Sequence, residues 1–156
     1  MKAQSGFTLV ELVVTLVIVV LIMLVAVPFT QSWVNSASVR ESKSLLQQAY
    51  SRARAMGLAN ANEIKDGTAA AYMCVANAKL YVQPITATTC GTDFAWTGDI
   101  KSNTSITVGT TSSIFSCMGL NNLGLPVPLT LGSTACSVNK VLRVTRGVEN
   151  NEESLY

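Results

Sequence analysis

Histidine is missing from the 156 residues, and charge is scarce: 11 basic and 9 acidic side chains make up 13% of the chain. Without imidazole, the commonest general base and the commonest metal ligand are gone, which excludes the triads and zinc sites that depend on it. The net charge of +2 is too small to mark nucleic acid as a partner. None of the four cysteines stands in a Cys-x-x-Cys pair, so the usual thiolate zinc spacing is absent too. The carboxylates Glu63, Asp66, Asp93 and Asp99 have no nucleophile or base in a recognisable arrangement. They fall in segments that read as turns, where Asp is common for backbone reasons. Neither an enzyme nor a cofactor or metal is expected.

Apolar residues are abundant, at 49%, and unevenly spread. Between Phe7 and Pro28, 18 of 22 residues are apolar, and the rest of the chain has an ordinary composition for a soluble domain. As a helix this segment reaches about 33 Å, enough to cross the hydrocarbon core of a bilayer. It is too long for a secretory signal, and it ends in Val25-Ala26-Val27-Pro28-Phe29 with no Ala-x-Ala cleavage pattern. A plain anchor explains the length but not Glu11, a carboxylate inside the apolar run. Such a group is costly in hydrocarbon and normally marks a function or a partner.

The start reads Met1-Lys2-Ala3-Gln4-Ser5-Gly6, then Phe7-Thr8-Leu9-Val10-Glu11-Leu12. A short basic leader ending in Gly before Phe, with Glu four residues on, resembles the type IV pilin signal shared by pilins and the pseudopilins of type II secretion. The resemblance implies cleavage between Gly6 and Phe7 by a prepilin peptidase and N-methylation of the new Phe7 amine. It implies a bacterial inner-membrane protein, single-pass with a periplasmic globular part, that later enters an extracellular pilus or a periplasmic pseudopilus. Its partners would be other minor pilins and the major pilin, through the N-terminal helix. In a dry helical bundle the Phe7 amine and the Glu11 carboxylate of a neighbour would each be expensive unpaired, so pairing would fix the register of an incoming subunit. Lys2 fits a cytoplasmic N-terminus. Pro28, 21 residues after Phe7, matches the position of a proline in major pilins and removes one helical hydrogen bond, so a kink is expected there.

Beyond Pro28, Leu45, Leu46, Ala49, Tyr50, Ala53 and Met56 recur at helical spacing, with Arg40, Glu41, Lys43, Gln47, Arg52 and Arg54 on polar faces. One long helix is expected from about Phe7 to Met56, stopped by Gly57, its second half packing on a sheet. A polar link, 58–68, leads to β-like runs at 70–75, 79–85, 105–108, 113–117, 127–131 and 140–146. The last alternates best, with Leu142, Val144 and Arg146 on one side. The fold class is α+β, an antiparallel sheet domain behind a long helix. The expected division is a leader at 1–6, a membrane and filament-core helix at 7–28, an amphipathic helix half at 29–57 and a β-rich domain at 58–156.

Cys74, Cys90, Cys117 and Cys136 all follow the apolar segment. An even count on that side favours disulfides. Three pairings are open, and neighbour pairing, which closes two loops of similar size, is the expected one. Each would contribute on the order of 3 kcal/mol.

Trp33-Val34-Asn35-Ser36-Ala37-Ser38, Ala49-Tyr50-Ser51-Arg52-Ala53-Arg54 and Leu142-Arg143-Val144-Thr145-Arg146-Gly147-Val148 are similar to the GspH/FimT group of minor pilins and pseudopilins. The last of these looks like that group's final strand. The resemblance implies a FimU-like minor pilin that helps prime assembly and joins a tip complex to the pilus shaft, serving twitching motility and adhesion. It also leaves room for an H-type minor pseudopilin of type II secretion, or a DNA-binding minor pilin for natural transformation. The DNA receptors end in Gly-Arg-x-Arg. Here Glu149, Glu152 and Glu153 follow Gly147 and cancel the charge of Lys140, Arg143 and Arg146, so nucleic acid is not expected as a partner.

Overall fold

A computed structural model describes residues 8–65, 67–109 and 113–155, the side chains of 27–29 excepted. Gly6, Phe7, Asp66 and Tyr156 lie outside the described residues, and so does the Pro28 side chain. Helix α1 (Leu9–Ala59) comes first. The strands are β1 (Ala71–Ala76), β2 (Lys79–Pro84), β3 (Trp96–Asp99), β4 (Ser105–Val108), β5 (Cys117–Leu120), β6 (Pro126–Val127), β7 (Thr130–Leu131), β8 (Thr134–Ala135), β9 (Val141–Arg146) and β10 (Glu149–Ser154). The chain is α+β, a long N-terminal helix followed by antiparallel sheets.

Two units separate, one ending at Asn35 and one running from Ser36 to Tyr156. The first holds the apolar part of α1, and the helical assignment carries through Pro28 without a break. The second begins with the amphipathic end of α1. There Val39, Leu46, Ala49, Tyr50 and Ala53 are buried at helical spacing. They meet Met73, Leu80 and Val82 from β1 and β2, Met118 and Leu120 from β5, Ile106 from β4, and Leu142 and Val144 from β9 in one core. The helical stripe and the alternation of β9 face the same apolar interior, as their periods require.

α1 does not stop at Gly57. It ends at Ala59, and Asn60 takes the left-handed cap position at φ 42°. The Asn60 N–H donates to the Met56 carbonyl at 3.2 Å, and its side chain bonds the Ile64 N–H and carbonyl. Gly57 is instead buried inside the helix, where a Cβ would lie 2.6 Å from the Asn121 carbonyl oxygen. Its glycine serves a close approach of chain to chain.

The strands form a five-stranded sheet ordered β3-β2-β1-β5-β6, a three-stranded sheet ordered β10-β9-β4 and the small pair β7-β8. Among the described residues every strand pairing is antiparallel. The expected runs at 70–75, 79–85, 105–108 and 140–146 are β1, β2, β4 and β9. The run at 113–117 is displaced to β5, and 127–131 divides into β6 and β7 on either side of Pro128, which has no N–H to give a ladder. The segment after Gly147 is a correction: it is strand β10, so β9 is not the final strand. Gly147, at φ 60°, and Val148 make the two-residue turn that returns the chain antiparallel to β9. β9 is thereby the central strand of its sheet, and its basic residues do not sit on a sheet edge.

Candidate functional site

The N-terminal end of α1 is built to begin a helix. Thr8 precedes the first helical residue, its Oγ1 accepts from the Glu11 N–H at 3.3 Å and its carbonyl from the Leu12 N–H at 3.2 Å. Thr-x-x-Glu is the order of a capping box, and a carboxylate in the first turn also complements the positive helix end. The position of Glu11 thus has a local reason in addition to any contact with another subunit. The signal was present in the sequence, in the spacing of Thr8 and Glu11.

From Leu9 to Val25 every large apolar side chain is exposed, between 45% and 79%. Exposure all round a helix, with no packed face, belongs to a segment that water does not surround. The threonine hydroxyls of this half of the helix are already satisfied. Thr15 Oγ1 donates to the Leu12 carbonyl and Thr30 Oγ1 to the Ala26 carbonyl, both at 2.8 Å. Backbone and hydroxyl groups bonded inside the helix are what a hydrocarbon environment demands. The helix is long and apolar enough to cross a membrane, and it fits a single-pass anchor.

Residues 1–27 match the family model of the prokaryotic N-terminal methylation motif. That motif is typical of type IV pilin-like prepilins, and it covers Gly6, Phe7 and Glu11. No curated protein and no solved structure matches the chain. A prepilin-type N-terminus goes with a structural subunit, with processing by a prepilin peptidase and with assembly among other pilins.

Behind the motif, the second unit is covalently stapled. Cys74 pairs with Cys90 and Cys117 with Cys136. The loop that carries Cys90 is held by two further side chains. Gln83, fully buried, accepts from the Gly91 N–H at 2.9 Å and donates to the carbonyls of Thr89, at 3.1 Å, and Thr92. Tyr72 donates its hydroxyl to the Ala87 carbonyl at 2.9 Å, and burial pushes its pKa up. Sequence reasoning missed both, because nothing local marks a glutamine or tyrosine as the anchor of a distant loop.

The acidic end of the chain is also placed. Lys43 on α1 meets Glu153 on β10 at 2.6 Å and donates to Asn151 Oδ1 at 3.4 Å, while Gln47 donates to Glu153 at 2.6 Å. Burial works against the charged form of Glu153. The hydrogen bonds from Lys43 and Gln47 and the Lys43 charge outweigh it, so the carboxyl lies below its ordinary range. Arg143 pairs with Glu152 across the hairpin, and Arg146 donates to Ser38 Oγ at 2.5 Å.

The carboxylates weighed as catalytic candidates do not converge. Glu63 and Asp93 occupy left-handed turn positions, at φ 52° and 49°, and Asp99 lies in β3, 3.3 Å from Lys79. Among the described residues no group of three or more Cys, Asp or Glu side chains is placed to hold a metal ion. Leu155 is core, and Trp96 is half-buried beneath the Arg52 guanidinium, 5.5 Å from the ring centroid. Leu123 and Leu125 remain exposed.

Proposed function

We propose that this chain is a minor pilin of a type IV pilus, a structural subunit that helps prime assembly and links a tip complex to the shaft. The observation that carries the reading is the exposed apolar half of α1, which lies within the residues that match the methylation motif. A helix of this kind is stable only in a bilayer or among other such helices, and the prepilin leader supplies the route from the first to the second. Cleavage frees the Phe7 amine, and the Glu11 carboxylate of a neighbouring subunit pairs with it to fix axial register. Pro28 gives the helix a soft point during that transfer. Two disulfides in a mid-sized domain suit a subunit displayed outside the cell, which favours a pilus over a secretion pseudopilus.

The engagement of the basic residues of β9 supports assembly over DNA capture. Arg143 is neutralised by Glu152 and Arg146 is turned to Ser38, which leaves little accumulated positive charge for phosphates.

The test is deletion with complementation in the native host. Loss of surface piliation and twitching, restored by the wild-type chain and not by Glu11→Ala, is expected. Unchanged piliation, motility and incorporation of tip proteins in the deletion strain overturns the proposal.

A further inference from the structure

The four cysteines lie closer in space than two separate staples require. Cys74 on β1 and Cys117 on β5 are direct cross-strand partners in the antiparallel register. The adjacent pair, Val75 and Ser116, takes a ladder hydrogen bond, from the Val75 N–H to the Ser116 carbonyl at 2.9 Å. Cys74 and Cys117 therefore occupy a non-hydrogen-bonded pair, where Cα atoms approach to about 4.5 Å and side chains on the shared face come closest. That spacing lies inside the range a disulfide spans, about 4.4–6.8 Å. All four cysteines belong to one apolar cluster. Cys74 and Cys117 are buried at its centre, while Cys90 and Cys136 are half-buried on the loops above. A cleft lined by Thr88, Thr89, Gly132 and Thr134 also reaches Cys74, Cys90 and Cys117.

The geometry points to a single thiol–disulfide exchange site with a third possible bond, Cys74–Cys117, whose co-substrate is a dithiol. The order follows from access. A thiolate of the dithiol enters the cleft and attacks Cys90 Sγ. The Cys74–Cys90 bond breaks and Cys74 leaves as a thiolate beside Cys117. Cys74 then attacks Cys117 Sγ, the Cys74–Cys117 bond forms, and Cys136 departs as a thiolate that takes a proton from water. The second thiol of the dithiol attacks its own mixed disulfide and releases Cys90. The dithiol is oxidised to a disulfide, and two protein disulfides become one cross-strand disulfide and two thiols, Cys90 and Cys136. β1 and β5 stay joined throughout, and only the loops carrying Cys90 and Cys136 lose their covalent tie. Gln83 and Tyr72 continue to hold the first of these loops.

The experiment treats the full chain in detergent with one molar equivalent of dithiothreitol, quenches with acid and N-ethylmaleimide, and maps the disulfide-linked peptides by mass spectrometry. Most single-disulfide molecules are expected to carry Cys74–Cys117 with Cys90 and Cys136 alkylated. The same treatment in urea is expected to lose that preference, because chain entropy in the unfolded state favours the shorter native loops. Single-disulfide molecules that retain only Cys74–Cys90 or Cys117–Cys136 in the folded chain overturn the inference. A Cys90→Ser, Cys136→Ser double variant provides a second reading. Folded and air-oxidised, it is expected to be 2 Da lighter than its reduced form, and a folded variant with two free thiols overturns the inference. If that variant does not fold, the wild-type map decides alone.

Discussion

Replacing Gly57 by alanine is a test of sign. In an exposed helix interior the change from glycine to alanine stabilises by roughly 0.5–1 kcal/mol, because glycine loses the most backbone freedom on folding. At Gly57 the new methyl would meet the Asn121 carbonyl oxygen at 2.6 Å, with Asn121 C and the Leu120 oxygen at 3.6 Å. These are backbone atoms, and they cannot retreat easily. The Asn121 N–H donates to the Leu125 carbonyl and the Asn121 carbonyl accepts from Gly124, both at 2.9 Å. The Asn121 side chain accepts from the Leu123 and Leu125 N–H groups. Overpacking of this kind costs about 1–3 kcal/mol. The clash outweighs the propensity gain, and a net loss of about 1–2 kcal/mol is expected, or a fall of roughly 4–8 °C in Tm. Ala55→Gly, at an exposed position on the same helix, serves as the matched control and should cost about 1 kcal/mol by propensity alone. Near-ultraviolet circular dichroism during thermal unfolding of the detergent-solubilised chain reads both. A Gly57→Ala protein more stable than wild type would refute the claim that α1 and the 121–125 loop are in fixed close approach.

Leu46→Ala removes a fully buried side chain between α1 and the sheets, and urea unfolding should show a loss of about 2–5 kcal/mol. Gln83→Leu leaves the Gly91 N–H and the Thr89 and Thr92 carbonyls without their partner, so a loss of about 1–3 kcal/mol is expected, together with faster proteolysis between residues 85 and 95 that limited thermolysin digestion would detect. Glu153 has a folded pKa below its unfolded one, so its contribution is complete above the ordinary carboxylate range and disappears as pH falls through the lowered value; Glu153→Gln should flatten the acid limb of a stability–pH curve, and an unchanged limb would count against the Lys43–Glu153 contact. Val17→Arg, in the middle of the exposed apolar segment, should weaken membrane insertion by about 3–4 kcal/mol, measured as the glycosylated fraction in a translocation reporter.

The parts of the fold visible in the sequence are those in which one residue period meets one environment. The apolar run of α1 reads as hydrocarbon-facing because nothing polar interrupts it after Glu11 except threonines, which bond inward. β9 reads as a strand because Leu142 and Val144 alternate with polar residues. β10, with the sequence Glu-Asn-Asn-Glu-Glu-Ser, has no apolar side chain to show. It exists through its ladder with β9, the Lys43 and Arg143 contacts, and the insertion of Leu155, and the one local cue was the Gly147-Val148 turn. β3 escaped for a similar reason, since Gly98 and Asp99 are poor strand formers. Gly98 is there because the Leu45 and Trp96 side chains fill the space a Cβ would need. The motif residues at the N-terminus were legible because their meaning lies in order and spacing. The anchoring of the 85–95 loop was not, because it depends on which buried polar atoms three-dimensional proximity leaves to pair.

The strand order sets a timetable for synthesis. α1 is made first, and the sheet ordered β3-β2-β1-β5-β6 can close over it once residue 127 has emerged. β4 has its ladder partner in β9, some thirty residues further on, and β9 is flanked on its other side by β10 at the end of the described chain. Ile106 must therefore wait for Leu142, Val144 and Leu155 before its side of the core is sealed. Until those last residues arrive, the growing chain carries an open flank of apolar surface beside a finished sheet, and the half-made subunit is the form most exposed to wrong partners.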